Sequence, residues 1–162
     1  MTLLISDANV LIDMETARLL ELMFRLPEQF AVPNTLYMEE LADQHGRLPG
    51  LGLLVLDISA EFVAEAFRLA GTYRKPSLND LLALALAKQQ ACPILTGDRF
   101  LREAAELEEV EVRGTLWLME RMYRARLLNI QELRVAYDLM LAGDRRLPKH
   151  EIELQMQRLL SS

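Results

Sequence analysis

Five short apolar runs alternate with helical patterns along the first 113 residues of the chain. Each run is followed by turn or helix-cap residues, as strands are. Strands that alternate with helices of 10 to 15 residues pair in parallel, and helices cover both faces of their sheet. The sequence therefore predicts an α/β fold with a parallel sheet of about five strands. The runs are LLIS (3–6), QFAV (29–32), LLVLDI (53–58), PILT (93–96) and VEVR (110–113).

The helical patterns between these runs fall at about 10–25, 35–44, 60–71, 77–90 and 99–107. After residue 113 only helical periodicity remains, which predicts three further helices separated near Asn129 and by the turn AGDRRLP (142–148). We expect a main domain over residues 1–116. Residues 117–162 are expected to form a helical C-terminal extension, packed on the same domain or on a dimer partner.

The balance of acidic and basic residues also changes near residue 113, where the predicted strands end. The 162 residues carry a net charge of −6, which does not suit a protein that grips nucleic acid by its phosphates. Residues 1–112 hold 9 basic and 18 acidic residues, whereas residues 113–162 hold 9 basic and 6 acidic ones. The body is therefore acidic and the tail basic. One interpretation is that the arginines of the tail contact an RNA backbone. A solvated helix face is the other.

The single cysteine, Cys92, leaves no disulfide framework and favours a reducing cytosol. No charged-then-apolar leader opens the sequence, and its longest apolar run, LLALALA (81–87), is far too short to cross a bilayer. We expect a cytoplasmic protein with no membrane contact.

Several acidic residues stand at helix starts, where an ordinary structural role explains each one. Asp7 and Asp98 each precede a predicted helix and suit its N-cap. Asp80 lies three residues after Ser77, the spacing of a capping box. Taken one at a time, these acids need no other function.

Taken together, the acids indicate a site. Asp7 and Asp98 end the first and fourth strands, which are neighbours if the sheet first grows one way and then returns to the other side of strand one. Asp80 opens the helix that leads to the fourth strand, and Glu39 lies on the helix after the second. Ligands of open parallel sheets bind outside the carboxyl ends of the strands, at such a reversal.

Four clustered carboxylates repel one another unless a cation is present. Oxygen donors without Cys or His suit Mg²⁺ or Mn²⁺, and such ions are commonly completed by substrate phosphates. This donor set favours phosphodiester chemistry. Other mechanisms lack their residues, because His45 and His150 lie in polar turns and no phosphate-binding glycine loop occurs.

Four segments together resemble the PIN domain family of metal-dependent ribonucleases. The resemblance implies a three-layer α/β/α fold, and the continuation GTLWLMERMYRARLLNIQEL is similar to a prokaryotic PIN-like subfamily with a helical tail. The four segments are DANVLID (7–13), AVPNTLYMEEL (31–41), SLNDLLALALAKQQACPILTGDRFL (77–101) and VEVRGTL (110–116).

The resemblance implies catalytic and metal-binding roles for Asp7, Asp80 and Asp98. For the fourth acid, the spacing from Pro33 and Leu36 selects Glu39, which we choose, whereas the family's Glu-Leu pair selects Glu40. Supporting positions fall on Asn9 and Thr96, which steady the metal-binding acids in similar domains. Local turn hydrogen bonds are the alternative for those two.

The implied function is that of a cytoplasmic Mg²⁺- or Mn²⁺-dependent endoribonuclease with an RNA substrate. Such proteins are often homodimers, and often the toxin of a toxin–antitoxin pair restrained by a small antitoxin protein. A catalytically silent PIN-fold module that binds RNA or a protein partner is the alternative. A Mg²⁺ phosphatase is disfavoured, because Asp7-Ala8-Asn9 lacks the second acid of the D-x-D-x-T signature.

Overall fold

The computed structural model describes residues 2–162 and confirms the predicted parallel α/β fold. All five strands run parallel in the order β3-β2-β1-β4-β5. The first and fourth strands are therefore neighbours, which is the condition for Asp7 and Asp98 to share one edge of the sheet. The strands are β1 (Leu3–Ser6), β2 (Gln29–Pro33), β3 (Leu54–Leu56), β4 (Ile94–Leu95) and β5 (Val112–Arg113).

Helices connect the strands and continue after the last one. A π-helical turn, Tyr37–Leu41, directly follows α3. No helix within residues 2–162 is long and apolar enough to cross a membrane. The helices are α1 (Ala8–Thr16), α2 (Leu20–Met23), α3 (Asn34–Leu36), α4 (Leu48–Leu51), α5 (Ala60–Thr72), α6 (Leu78–Gln90), α7 (Arg99–Leu107), α8 (Thr115–Arg124), α9 (Ile130–Ala142) and α10 (Lys149–Leu160).

The predicted single helix over residues 10–25 is wrong, because the structure divides it into α1 and α2. Arg18 adopts a left-handed backbone with φ 61°, and the Leu19 N–H donates to the Met14 carbonyl at 2.9 Å. This 6→1 hydrogen bond ends α1 in the manner of a Schellman motif, but with arginine where glycine is usual. The apolar spacing continues through the break, so periodicity alone cannot reveal it.

Helix α6 is the central element of the core. Its residues 81–87 are all buried, and it packs against α5, β1, β2 and α7. Burial on every side explains why LLALALA shows no polar face. Since α6 is wedged between the sheet and its neighbours, its first turn is held at a fixed place beside the carboxyl edge of the sheet.

The helical tail shares one hydrophobic cluster with the sheet. Buried residues of α8, α9 and α10, among them Leu118, Tyr137 and Met156, belong to the same cluster as the strands. Helix α9 packs on α1, where a Cβ on Gly143 would come within 2.6 Å of the Thr16 methyl carbon. Glycine at 143 therefore permits this close approach.

Candidate active site

Two aspartates follow the neighbouring strands β1 and β4 at the carboxyl edge of the sheet. Ser6 of β1 is in register with Leu95 of β4, and the Asp7 N–H extends the ladder by donating to the Leu95 carbonyl at 3.0 Å. Asp98 stands three residues after Leu95 and begins α7 as its N-cap. The pairing of these strands therefore places both carboxylates at the same edge.

Asp7 is almost completely buried, with 2% of its surface exposed. Its Oδ1 accepts a hydrogen bond from the Val10 N–H at 2.9 Å and caps α1, while its Oδ2 accepts one from the buried Thr96 hydroxyl. Burial raises the pKa of Asp7 to about 7 despite these two hydrogen bonds, with smaller contributions from the charges of Asp80 and Asp13.

Thr96 links the two strand-end aspartates. Besides donating to Asp7, its Oγ1 accepts a hydrogen bond from the Asp98 N–H at 3.0 Å. The Asp98 side chain is exposed, and its Oδ1 accepts from the Leu101 N–H at 2.8 Å. The hydroxyl thus fixes the backbone of Asp98 relative to the carboxylate of Asp7.

Asp80 lies in the first turn of α6 and forms the predicted capping box with Ser77. The Ser77 N–H donates to Asp80 Oδ2 at 3.0 Å, and the Asp80 N–H donates to Ser77 Oγ at 3.1 Å. Burial raises the pKa of Asp80, and the negative charge of Asp98 adds to the effect. Asp80 therefore interacts electrostatically with both other aspartates.

The two candidate glutamates lie on the π-helical turn, which the Ala42 N–H closes by donating to the Tyr37 carbonyl at 2.8 Å. Glu39 Oε1 accepts a hydrogen bond from the Asn79 amide at 3.1 Å. Burial raises the pKa of Glu40, and the charges of Asp80 and Glu39 add to it. Both glutamates thus stand next to the first turn of α6, and π turns of this kind are frequent at functional sites.

Asn9 is exposed, and the structure places it against the tail rather than against the aspartates. The guanidinium Nη2 of Arg145 donates to the Asn9 carbonyl at 3.2 Å and to its Oδ1 at 3.1 Å. The Nε of Arg145 donates to Asp13 Oδ1 at 2.6 Å, and the Thr115 hydroxyl donates to Asp13 Oδ2 at 3.0 Å.

The sequence did not indicate that Asp13, Arg145 and Thr115 form a network that reaches the predicted supporting residue Asn9. Burial raises the pKa of Asp13 despite the neighbouring guanidinium. Asp13 closes the DANVLID segment, so its position was visible in the sequence. Its cation lies 132 residues further along the chain, where no local pattern connects the two.

The donor atoms of these carboxylates suit a hard divalent cation. All are oxygen donors, and burial of Asp7 beside Asp80 penalises two charges that a cation would stabilise. Within residues 2–162 no three His, Cys, Asp or Glu side chains are close enough together to surround one ion.

Comparison with known families agrees with this architecture. A family model described as a PIN domain matches residues 3–161, so the match includes the helical tail. A comparison with curated proteins finds no match. The chain belongs to the PIN domain family, whose fold is that of nucleases and whose members are generally metal-dependent ribonucleases.

Proposed function

We propose that the protein is a metal-dependent endoribonuclease that hydrolyses RNA phosphodiester bonds. The observation that carries the proposal is the buried Asp7, whose pKa is raised to about 7 at the edge where Asp80 and Asp98 also lie. Perturbed carboxyl groups that face one another cluster at functional sites. A buried carboxylate next to other carboxylates lowers the stability of the fold. An N-cap with a purely structural role could be an uncharged residue and would avoid this loss.

Asp7, Asp80 and Asp98, with one glutamate of the π-helical turn, would hold Mg²⁺ or Mn²⁺. When bound, such an ion would supply a water of lowered pKa and would stabilise negative charge on the oxygens of the phosphodiester. The protein holds the donors in place: Thr96 orients Asp7, the Leu101 N–H orients Asp98, and Ser77 orients Asp80. Asp7 is thus held through both of its carboxylate oxygens, and Asp80 and Asp98 are each held through one.

We assign the fourth carboxylate to the Glu39/Glu40 pair, with Glu40 favoured by its surroundings. The charge of Asp80 contributes to the raised pKa of Glu40, which supports a side chain directed toward the aspartates. The Asn79 amide donates to Glu39 Oε1 at 3.1 Å and also lowers the pKa of Glu40, so it lies against both glutamates. This differs from the choice of Glu39 that spacing alone supports, and the two glutamates can be separated by mutation.

Membership of the family also supports a proposal about partners. We propose RNA as the substrate, and a small antitoxin protein that restrains the enzyme in the cytoplasm as its partner. A homodimer is part of the same proposal. Light scattering of the purified chain tests the dimer, and copurification of a small protein encoded beside it tests the antitoxin.

A catalytically silent module that binds RNA or protein is the second candidate. The observation that favours it is that Asp7, Asp80 and Asp98 all have cap roles in their helices, which is a sufficient structural role. Against it stands the electrostatic cost of Asp7, because serine or asparagine would cap α1 without a buried charge.

A cleavage assay separates the two candidates. Single-stranded and structured RNA would be incubated with the purified protein in Mg²⁺, in Mn²⁺ and in EDTA, beside Asp98→Asn purified identically. The nuclease predicts cutting that needs the metal and is lost in the variant. Intact RNA in every wild-type reaction would contradict it, as would equal cutting by Asp98→Asn.

A further inference from the structure

The turn between α9 and α10 places an arginine of the tail against the first helix of the chain. The Nε of Arg145 donates to Asp13 Oδ1 at 2.6 Å, and its Nη2 donates to the Asn9 carbonyl at 3.2 Å and to Asn9 Oδ1 at 3.1 Å. Asn9 and Asp13 are one helical turn apart and therefore lie on the same face of α1. One guanidinium thus joins the first and second turns of this helix.

The backbone on either side of this contact is held in a defined conformation. Asp144 is left-handed with φ 59°, and its N–H donates to the Leu141 carbonyl at 3.2 Å. The Arg145 N–H donates to the Met140 carbonyl at 3.0 Å. These are the two hydrogen bonds of a Schellman motif, which closes the end of α9. The side chains of Arg145 and Asp13 are only 23% and 9% exposed, so the guanidinium is fixed between the tail and α1.

Arg145 determines which end of the Asn9 amide is free. A guanidinium has donors and no acceptor, so it can bind only the oxygen of the amide. With Oδ1 on Arg145, the Asn9 NH2 group is the free end, and it donates to no acceptor among residues 2–162. Asn9 follows the N-cap Asp7 by two residues, so this donor lies at the edge of the sheet that carries the candidate active site. A free N–H donor suits an oxygen atom of a ligand.

We propose that Arg145 is a positioning residue of the nuclease. It holds the Asn9 amide so that the NH2 group donates to a phosphate oxygen of the bound RNA. The proposal rests on the nuclease function and adds a residue of the helical tail to its site. A donor that is held in place in advance stabilises the negative charge that develops on the phosphate, and it needs no rearrangement at the moment of reaction.

Arg145→Lys separates positioning from stability. Lysine keeps a positive charge beside Asp13, but its ammonium lacks the planar fork with which arginine binds Asp13 and Asn9 together. We expect kcat of RNA cleavage in Mn²⁺ to fall by about 10-fold to 100-fold and KM to stay within about threefold of wild type, because a misplaced donor affects the transition state more than substrate binding. Urea unfolding should show most of the wild-type stability.

Arg146→Lys is the matched control. Arg146 is exposed in the same turn and forms no salt bridge with any of residues 2–162. Lysine keeps its charge, so both kcat and KM should be unchanged.

A double-mutant cycle tests whether Arg145 acts through the Asn9 amide. Asn9→Ala removes the amide and leaves the carbonyl that Arg145 also contacts. If Arg145 positions the amide, Arg145→Lys lowers kcat in the wild-type background but causes little further loss in Asn9→Ala. A merely structural role of Arg145 predicts the same factor in both backgrounds.

NMR signals of the Asn9 side-chain NH2 group give a readout that does not depend on cleavage. These signals are identified by their absence in Asn9→Ala. Arg145→Lys should move them toward the shifts of an exposed, freely rotating amide, whereas Arg146→Lys should leave them in place.

The outcomes separate the positioning role from the nuclease. Wild-type kcat in Arg145→Lys, equal factors in the two backgrounds of the cycle, or unmoved Asn9 signals would each overturn the positioning role and leave metal-dependent cleavage intact. A wild-type protein that cuts no RNA overturns the nuclease function and the positioning role with it. A loss of kcat that disappears in the Asn9→Ala background supports both.

Discussion

Replacing Asp7 by asparagine should abolish cleavage and at the same time stabilise the fold. Burial raises the pKa of Asp7 from its ordinary 3.8 to about 7. One pKa unit is worth about 1.36 kcal/mol, so keeping Asp7 ionised in the folded protein costs about 4 kcal/mol. Asparagine removes this charge and caps α1 equally well.

Part of this gain is offset at the neighbouring hydroxyl. The amide nitrogen of asparagine cannot accept the hydrogen bond that Thr96 donates to Asp7, and a lost hydrogen bond costs about 1 kcal/mol. The expected net stabilisation is therefore about 3 kcal/mol at pH 8. For a domain of this size that corresponds to a rise in Tm of about 6–12 °C.

The raised pKa of Asp7 determines in which direction stability changes with pH. Between pH 3.8 and about 7 the folded protein binds a proton at Asp7 more tightly than the unfolded chain does. Wild-type stability from this group is therefore lost as pH rises through that window, and the advantage of Asp7→Asn grows with it. Near pH 4 the two proteins should differ little.

Urea unfolding in EDTA at pH 4.5 and pH 8 measures both effects. Asp138→Asn, which removes an exposed carboxylate from α9, is the control and should leave stability unchanged at both pH values. An Asp7→Asn protein that is no more stable than wild type at pH 8 would show that the buried Asp7 charge does not destabilise the fold. So would an equal gain at both pH values.

Two further predictions concern the tail and the fourth carboxylate. Arg145→Ala should lower the free energy of unfolding by about 3 kcal/mol, because it leaves the buried Asp13 carboxylate without its cation. In urea unfolding, Arg134→Ala, which breaks an exposed ion pair, should have little effect, and equal losses would contradict the difference in burial. Glu40→Gln should lower kcat of RNA cleavage at least 100-fold and Glu39→Gln less than 10-fold, on the scale of electrostatic catalytic contributions. The reverse order, measured under saturating Mn²⁺, would restore Glu39 as the ligand.

Most of the sheet could be predicted from sequence because its strands have a local signal. Each predicted run contains or overlaps an observed strand, and the strand order meets the condition under which Asp7 and Asp98 share an edge. The capping box of Ser77 and Asp80 was equally visible, since both partners lie three residues apart. Local chemistry therefore defined the edge on which the candidate site lies.

The features that were missed depend on contacts between distant residues or on a change of helical period. Arg18 ends α1 in a left-handed conformation that glycine usually adopts, so no helix-ending glycine in the sequence indicated the break. The π-helical turn adds a residue to one helical turn, which residue spacing in the sequence did not indicate. The contact of Arg145 with Asp13 and Asn9 joins opposite ends of the chain, and only the folded structure reveals it.

Metal-dependent cleavage at the carboxylates is tested most directly by a Mn²⁺ titration in which ion binding and RNA cleavage are followed on the same wild-type sample. If the carboxylates hold the catalytic ion, the two curves coincide, both are lost in Asp80→Asn, and both survive in Asp138→Asn. Cleavage that does not follow Mn²⁺ occupancy, or that persists in Asp80→Asn, would contradict it.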